Sequence, residues 1–161
     1  MPRFVLRFST SPGFISWAIR HRTDFYISHV EFQLLKTDGD FKAGSTLGSR
    51  FPDGVQWREP HENANQRGVI FATADGIDEA AMWVNSNRIG CKYDLLGICG
   101  IAGGIEDWHT KGERFCSETV LEGFEEGPKN FLANRYFKTW QFTPRDFFCL
   151  PGIRILSGPH N

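Results

Sequence analysis

In the run Arg114-Phe115-Cys116-Ser117-Glu118-Thr119-Val120, an extended stretch gives way to helix-favouring residues that continue to Glu126, and the junction falls on a cysteine. A helix N-terminus carries unpaired N–H groups and partial positive charge. Both favour thiolate over thiol and can hold a developing oxyanion. Such a junction fixes a strand-to-helix corner in the fold and makes Cys116 a candidate nucleophile. The three other cysteines, Cys91, Cys99 and Cys149, lack this context and read as structural, free thiols.

A thiolate needs a base, and the best candidate lies far upstream. In Ile27-Ser28-His29-Val30-Glu31-Phe32-Gln33-Leu34, strand alternation puts Ile27, His29, Glu31 and Gln33 on one face and Ser28, Val30, Phe32 and Leu34 on the other. His29 and Glu31 therefore point the same way. The expected role of His29 is to take the thiol proton from Cys116 and later protonate a leaving amine or alcohol. His109, close to Cys116 in sequence, is the second choice, and His21, His61 and His160 have poorer contexts.

The segments Ser28 to Phe32, Leu47 to Pro60, Ile89 to Gly97 and Phe115 to Val120, with the exit Phe142 to Phe147, together resemble the circularly permuted NlpC-type papain-like hydrolases. In these the histidine strand precedes the cysteine helix. Bacterial and phage amidases are members, and lecithin-retinol acyltransferase-type enzymes are distant relatives. The resemblance implies an α+β, permuted papain-like fold, in which an antiparallel sheet or small open barrel packs against helices. It implies acyl transfer to water through a thioester, with a peptide amide of peptidoglycan as first-choice substrate. A lipid acyl ester or amide is the alternative, and a non-catalytic binding or phage structural module is another.

By the same resemblance Tyr93 lies beside the nucleophile and lends its hydroxyl to the substrate or oxyanion region, with Ser117 near it. Relatives orient the histidine with a residue from the following strand, but Leu47-Gly48-Ser49-Arg50 offers no carboxylate. Glu31 takes that role only if twist or a bulge brings it beside His29, since residues two apart on a strand are neighbours rather than stacked partners. Ser49 or a backbone carbonyl are the alternatives.

Length and composition bound the rest. With 161 residues, 40% hydrophobic and 23% charged, the chain reads as one domain over 1–156 with a flexible tail over 157–161. A net charge of −1 and scattered Lys and Arg argue against nucleic acid as partner. No CxxC pair or zinc-ligand spacing occurs, so neither a metal nor another cofactor is expected. No apolar run is long enough for a membrane span, and the alternating opening Met1 to Ser9 is unlike a signal peptide. The expectation is synthesis in the cytoplasm, with phage association or export by another route; the oligomeric state is left open.

Periodicity predicts strands over Pro2–Phe8, Tyr26–Leu35, Phe41–Ser49, Gly68–Ala74 and Ile153–Leu156, and helices from Ser11, over Asp75–Arg88, over Leu95–Gly104 and after Cys116. In the first helix Phe14, Ile15, Ala18 and Ile19 recur at helical spacing, with Trp17 beside them. Gln56 and Arg58 are expected at the cleft rim.

Overall fold

The computed structural model describes residues 3–36, 44–105, 108–128 and 142–157. Alternating apolar residues build a six-stranded, wholly antiparallel sheet in the order β4-β3-β2-β1-β5-β6. Its strands are β1 Phe4–Thr10, β2 His29–Leu34, β3 Thr46–Arg50, β4 Gly54–Arg58, β5 Arg67–Thr73 and β6 Arg154–Ser157. The sheet is open, not a barrel, and the helices α1 Phe14–Thr23, α2 Ile77–Asn87, α3 Leu95–Gly103 and α4 Cys116–Glu126 make the chain α+β. Ser157, expected in the tail, closes β6. The Asp-Gly turn signal at Thr37 to Asp40, the stretch Asn130 to Trp140, whose sequence reads equally as helix or loop, and the end of the tail lie outside the described residues.

Strand register sorts the side chains by face. Phe4, Leu6 and Phe8 of β1 stand opposite Leu34, Phe32 and Val30 of β2, and Leu47 of β3 pairs with Phe32. This face meets Ala80, Ala81 and Val84 of α2 and Val120, Leu121 and Phe124 of α4 in the main core. Each fully buried Phe or Leu here contributes about 1.5–3 kcal/mol of transfer free energy. Gly123 lets the two helices close up, since a Cβ there would lie 2.9 Å from the Ala80 carbonyl oxygen.

The opposite face of the same strands is polar and also buried. Arg7 stands opposite Glu31, and Gln33 opposite both Val5 and Thr46. Arg58, expected at the rim, is 4% exposed and turns its guanidinium onto the Gly48 and Gly54 carbonyls.

The first helix departs from expectation. It starts at Phe14, with Ser16, Ala18, Ile19 and Thr23 buried, while Phe14 is 78% exposed. Ser16 turns inward because its hydroxyl meets that of Ser28 and accepts from the Ser11 N–H and Arg20. Ile19 joins Tyr93, Ile98 and Phe115 in a smaller cluster that ties α1 and α3 to the entry of α4.

Candidate active site

Cys116 is the first residue of α4, with Phe115 in extended conformation as its N-cap. His29 is the first residue of β2. The fold thus brings the head of a helix to the end of a strand across most of the sequence. The thiol points at the Ser28 carbonyl, with Sγ 3.9 Å from the oxygen. Burial pushes the thiol pKa up, but the His29 charge and hydrogen bond, with the Val30 and Ser117 backbone, outweigh it and hold it below its ordinary value. For His29, burial disfavours the charged ring, yet the charges of Glu31 and Cys116 outweigh burial and raise its pKa. Opposite shifts in two contacting groups favour a thiolate–imidazolium pair.

The ring nitrogen Nε2 of His29 lies 3.2 Å from Glu31 Oε2, which leaves Nδ1 as the nitrogen for Cys116. No bulge is needed: the β1–β2 register runs unbroken from Phe4↔Leu34 to Ser9↔His29. Two long side chains on one face span the gap between neighbouring same-face positions. Ser49, the alternative orienting group, donates instead to the Arg114 carbonyl at 2.5 Å.

Glu31 has no exposed surface. Burial would push its carboxyl pKa up, but His29, Arg50 and Arg7 overcome this and hold it well below the usual carboxylate range. Arg7 Nη1 donates to Oε1 at 3.0 Å, and Arg50 reaches Oε1 at 2.5 Å and Oε2 at 2.8 Å through Nη2, with its Nε 3.2 Å from Oε2. Gly48 is required opposite, because a Cβ there would stand 2.7 Å from Glu31 Cβ. Sequence reading missed both arginines. The strand alternation could have found Arg7, which shares the Val5–Arg7–Ser9 face.

A cleft of about 390 Å³ opens beside this group, lined by Phe14, Ile19, Ser28, His29, Phe51 and Tyr93 among others. The His29 side chain keeps 13% exposure. Cys116 is only 1% exposed and adjoins the cleft through His29 and Tyr93. Burial, and after it the charges of Cys116, Asp94 and Cys99, push the Tyr93 pKa well above its ordinary value, so its hydroxyl stays a neutral donor. The Ser117 hydroxyl does not face the cleft: it donates to the Phe142 carbonyl at 2.5 Å, and only its backbone acts on the sulfur. His109 sits 3.9 Å from Asp94, the cap of α3.

A second carboxyl lies close by. Glu118 is 2% exposed, with one oxygen 3.6 Å from Arg114 Nε and the other without a hydrogen-bond partner. Burial, partly offset by Arg114, raises its pKa to about 8.

No family model and no curated protein matches this chain. Among solved structures it is similar to the crystal structure of metalloprotein yiiX, DUF1105, from Escherichia coli O157:H7. The TM-score is 0.70 at 14% identity, covering 99% of this chain and 98% of that one. This likeness is one of fold. Among the described residues no three His, Cys, Asp or Glu side chains are placed to share a metal ion, and the Glu31 oxygens are already taken by guanidinium groups, so the site does not fit a metal. No helix of the described residues is long and apolar enough to cross a membrane.

Proposed function

We propose that the chain is a cysteine hydrolase with a permuted papain-like arrangement, in which Cys116, His29 and Glu31 act as nucleophile, general acid–base and orienting carboxylate. The observation that carries this reading is the imidazole held between a fully buried carboxylate and a thiol at a helix N-terminus, beside an open cleft. The Cys116 thiolate attacks an acyl carbonyl, and backbone N–H at the head of α4 receives the oxyanion. His29 then gives its proton to the leaving amine or alcohol, which departs and leaves a thioester. Water, deprotonated by His29, attacks the thioester, releasing the carboxylic acid and restoring the thiolate–imidazolium pair. Tyr93 offers its hydroxyl to the carbonyl region. This chemistry calls for no cofactor.

The first-choice substrate is a peptide amide of peptidoglycan, which rests on the sequence resemblance. A lipid acyl ester or amide is favoured by a separate observation. A groove of about 340 Å³ between α1 and α3, walled by Phe14, Ile15, Trp17, Leu95 and Ile98 among others, shares Phe14 and Ile15 with the cleft. Its walls would suit an alkyl chain.

The test is hydrolysis of two panels, muropeptides and fatty-acyl esters or amides, by wild type and Cys116→Ala, read by mass spectrometry. Cysteine-dependent cleavage of either panel is the expected result and chooses the substrate. Absence of cleavage, together with Cys116 alkylation no faster than that of Cys91, Cys99 or Cys149, would replace the hydrolase with a binding module.

A further inference from the structure

Four polar or charged strand residues, Arg7, Glu31, Arg50 and Arg58, come from four different strands and meet on the buried polar face. Isolated burial of a carboxylate costs several kcal/mol, and removing one partner of a buried pair leaves an uncompensated charge. Glu31 meets guanidinium groups from both neighbouring strands, Arg7 on β1 and Arg50 on β3, and the ring of His29 on its own strand. The arginines are themselves tethered: Arg7 donates to the Gln66 side chain and Arg50 to Asn63 and to Thr46 Oγ1. Arg58 on β4 adds charge nearby while its guanidinium bonds to the Gly48 and Gly54 carbonyls, under the influence of Asp53 and Glu62, and Cys116 acts from α4 through His29.

A carboxylate used to orient a histidine must keep one oxygen on the ring nitrogen. Held by His29 alone, Glu31 could rotate about its terminal torsion, which is a broad, soft one. The Arg50 fork fixes both oxygens at once, and Arg7 holds Oε1 from the other side. Arg50 also occupies the stretch Leu47 to Arg50, the place from which the sequence resemblance leads one to expect the orienting group itself.

We infer that Arg7 and Arg50 are positioning residues for the proposed reaction, clamping Glu31 from the two flanking strands so that its Oε2 stays on His29 Nε2 and the ring keeps Nδ1 on Cys116. The inference rests on the hydrolase reading. It assigns both arginines a role through Glu31, which each of them contacts, although Arg50 also lines the cleft.

The test needs no substrate. The rate of Cys116 alkylation by iodoacetamide is followed from pH 5 to 9, with the modified site read by mass spectrometry and the fold checked by circular dichroism and melting. Arg50→Gln and Arg7→Gln are each expected to slow alkylation near neutral pH about tenfold, the lower end of what lost outer partners of a functional group cost, and to move its acid limb upward. Arg50→Lys, which keeps the charge but loses the fork, is expected to recover only part of the loss and serves as the readout if Arg50→Gln does not fold. In a Glu31→Gln background the effect of Arg50→Gln is expected to vanish, as a double-mutant cycle requires of a residue acting through Glu31. Profiles superimposable on wild type, or full recovery by Arg50→Lys, would overturn the clamp while leaving the dyad intact. A wild-type Cys116 with no rate advantage over the other cysteines would overturn the hydrolase reading and the clamp together.

Discussion

Glu31 and Glu118 are both buried within a few residues of the two proposed catalytic groups, yet the protein holds them in opposite states. Glu31 meets an imidazole and two guanidiniums and is ionised, well below the usual carboxylate range. Glu118 meets one guanidinium, that of Arg114 at 3.6 Å and already engaged 2.7 Å from Glu122, and despite this and a hydrogen bond from the Phe115 backbone its pKa rises to about 8. Burial pushes both carboxyls the same way, so the number and direction of cationic partners decides the outcome. An acid that remains charged can orient a base. An acid that remains protonated near neutral pH cannot, although it follows the nucleophile by only two positions.

The largest effect expected from breaking this contrast is on the ionised side. Replacement of His29 by Ala should cut Cys116 alkylation at pH 6.5 by about 10²-fold or more, since general acid–base partners supply roughly 10²–10⁴. Cys116→Ala should abolish turnover in the hydrolysis assay altogether. Because the thiol pKa is lowered and the imidazole pKa raised, the active ion pair should span a broad plateau. Activity is lost at low pH as the thiolate takes a proton and at high pH as His29 gives one up. A kcat/KM profile with one narrow optimum centred on the free imidazole value would contradict the paired state.

Next in size is Glu31→Gln, which keeps the shape but removes the charge that the arginines and His29 surround. A fall of roughly 10- to 100-fold in the neutral alkylation rate is expected. Stability should fall too, because two guanidiniums then lie buried against a neutral amide. A smaller, steric break is available at Gly48, where an added Cβ meets Glu31 Cβ at 2.7 Å. Gly48→Ala should cost about 2 kcal/mol by overpacking, measured by urea denaturation, and should slow Cys116 alkylation with it. An unchanged midpoint would mean that Glu31 can shift without loss, and so is not clamped.

Much of this arrangement was legible in the chain, for physical reasons that can be named. The helix head at Cys116 follows from local propensity, and the shared face of His29 and Glu31 from strand alternation; the structure places α4 and β2 accordingly. Asp94 caps α3 by accepting from the Gly97 N–H at 2.8 Å, as an Asp before an apolar helix suggests. What could not be read is what depends on contacts between distant strands. Arg7 and Arg50 look like ordinary strand cations until register sets both against Glu31. Phe14 looks like a core residue until the hydroxyls of Ser16 and Ser28 meet and rotate α1 so that it faces the cleft. Ser117 stands beside the nucleophile in sequence, yet helical geometry turns its hydroxyl away to Phe142. Long-range polar pairing leaves no periodic trace, and this is where the sequence reading of the orienting group stopped short.

The smallest expected effect sharpens the comparison from the protonated side. For Glu118 the folded pKa of about 8 stands above the ordinary value of 4.5, so the folded chain binds more protons than the unfolded chain between these values. Stability from this group is therefore complete below about pH 4.5 and is lost as pH rises through 8, at up to about 1.4 kcal/mol per pH unit. Glu118→Gln carries no such proton and preserves the shape. Its urea midpoint should match wild type near pH 4.5 and exceed it increasingly as pH rises from there to 8, and the alkylation profile of Cys116 should stay within about twofold throughout. If instead Glu118→Gln moved that profile as far as Glu31→Gln does, the two carboxyls would share one role, and the protein would be using the protonated acid in the chemistry rather than only tolerating it in the packing.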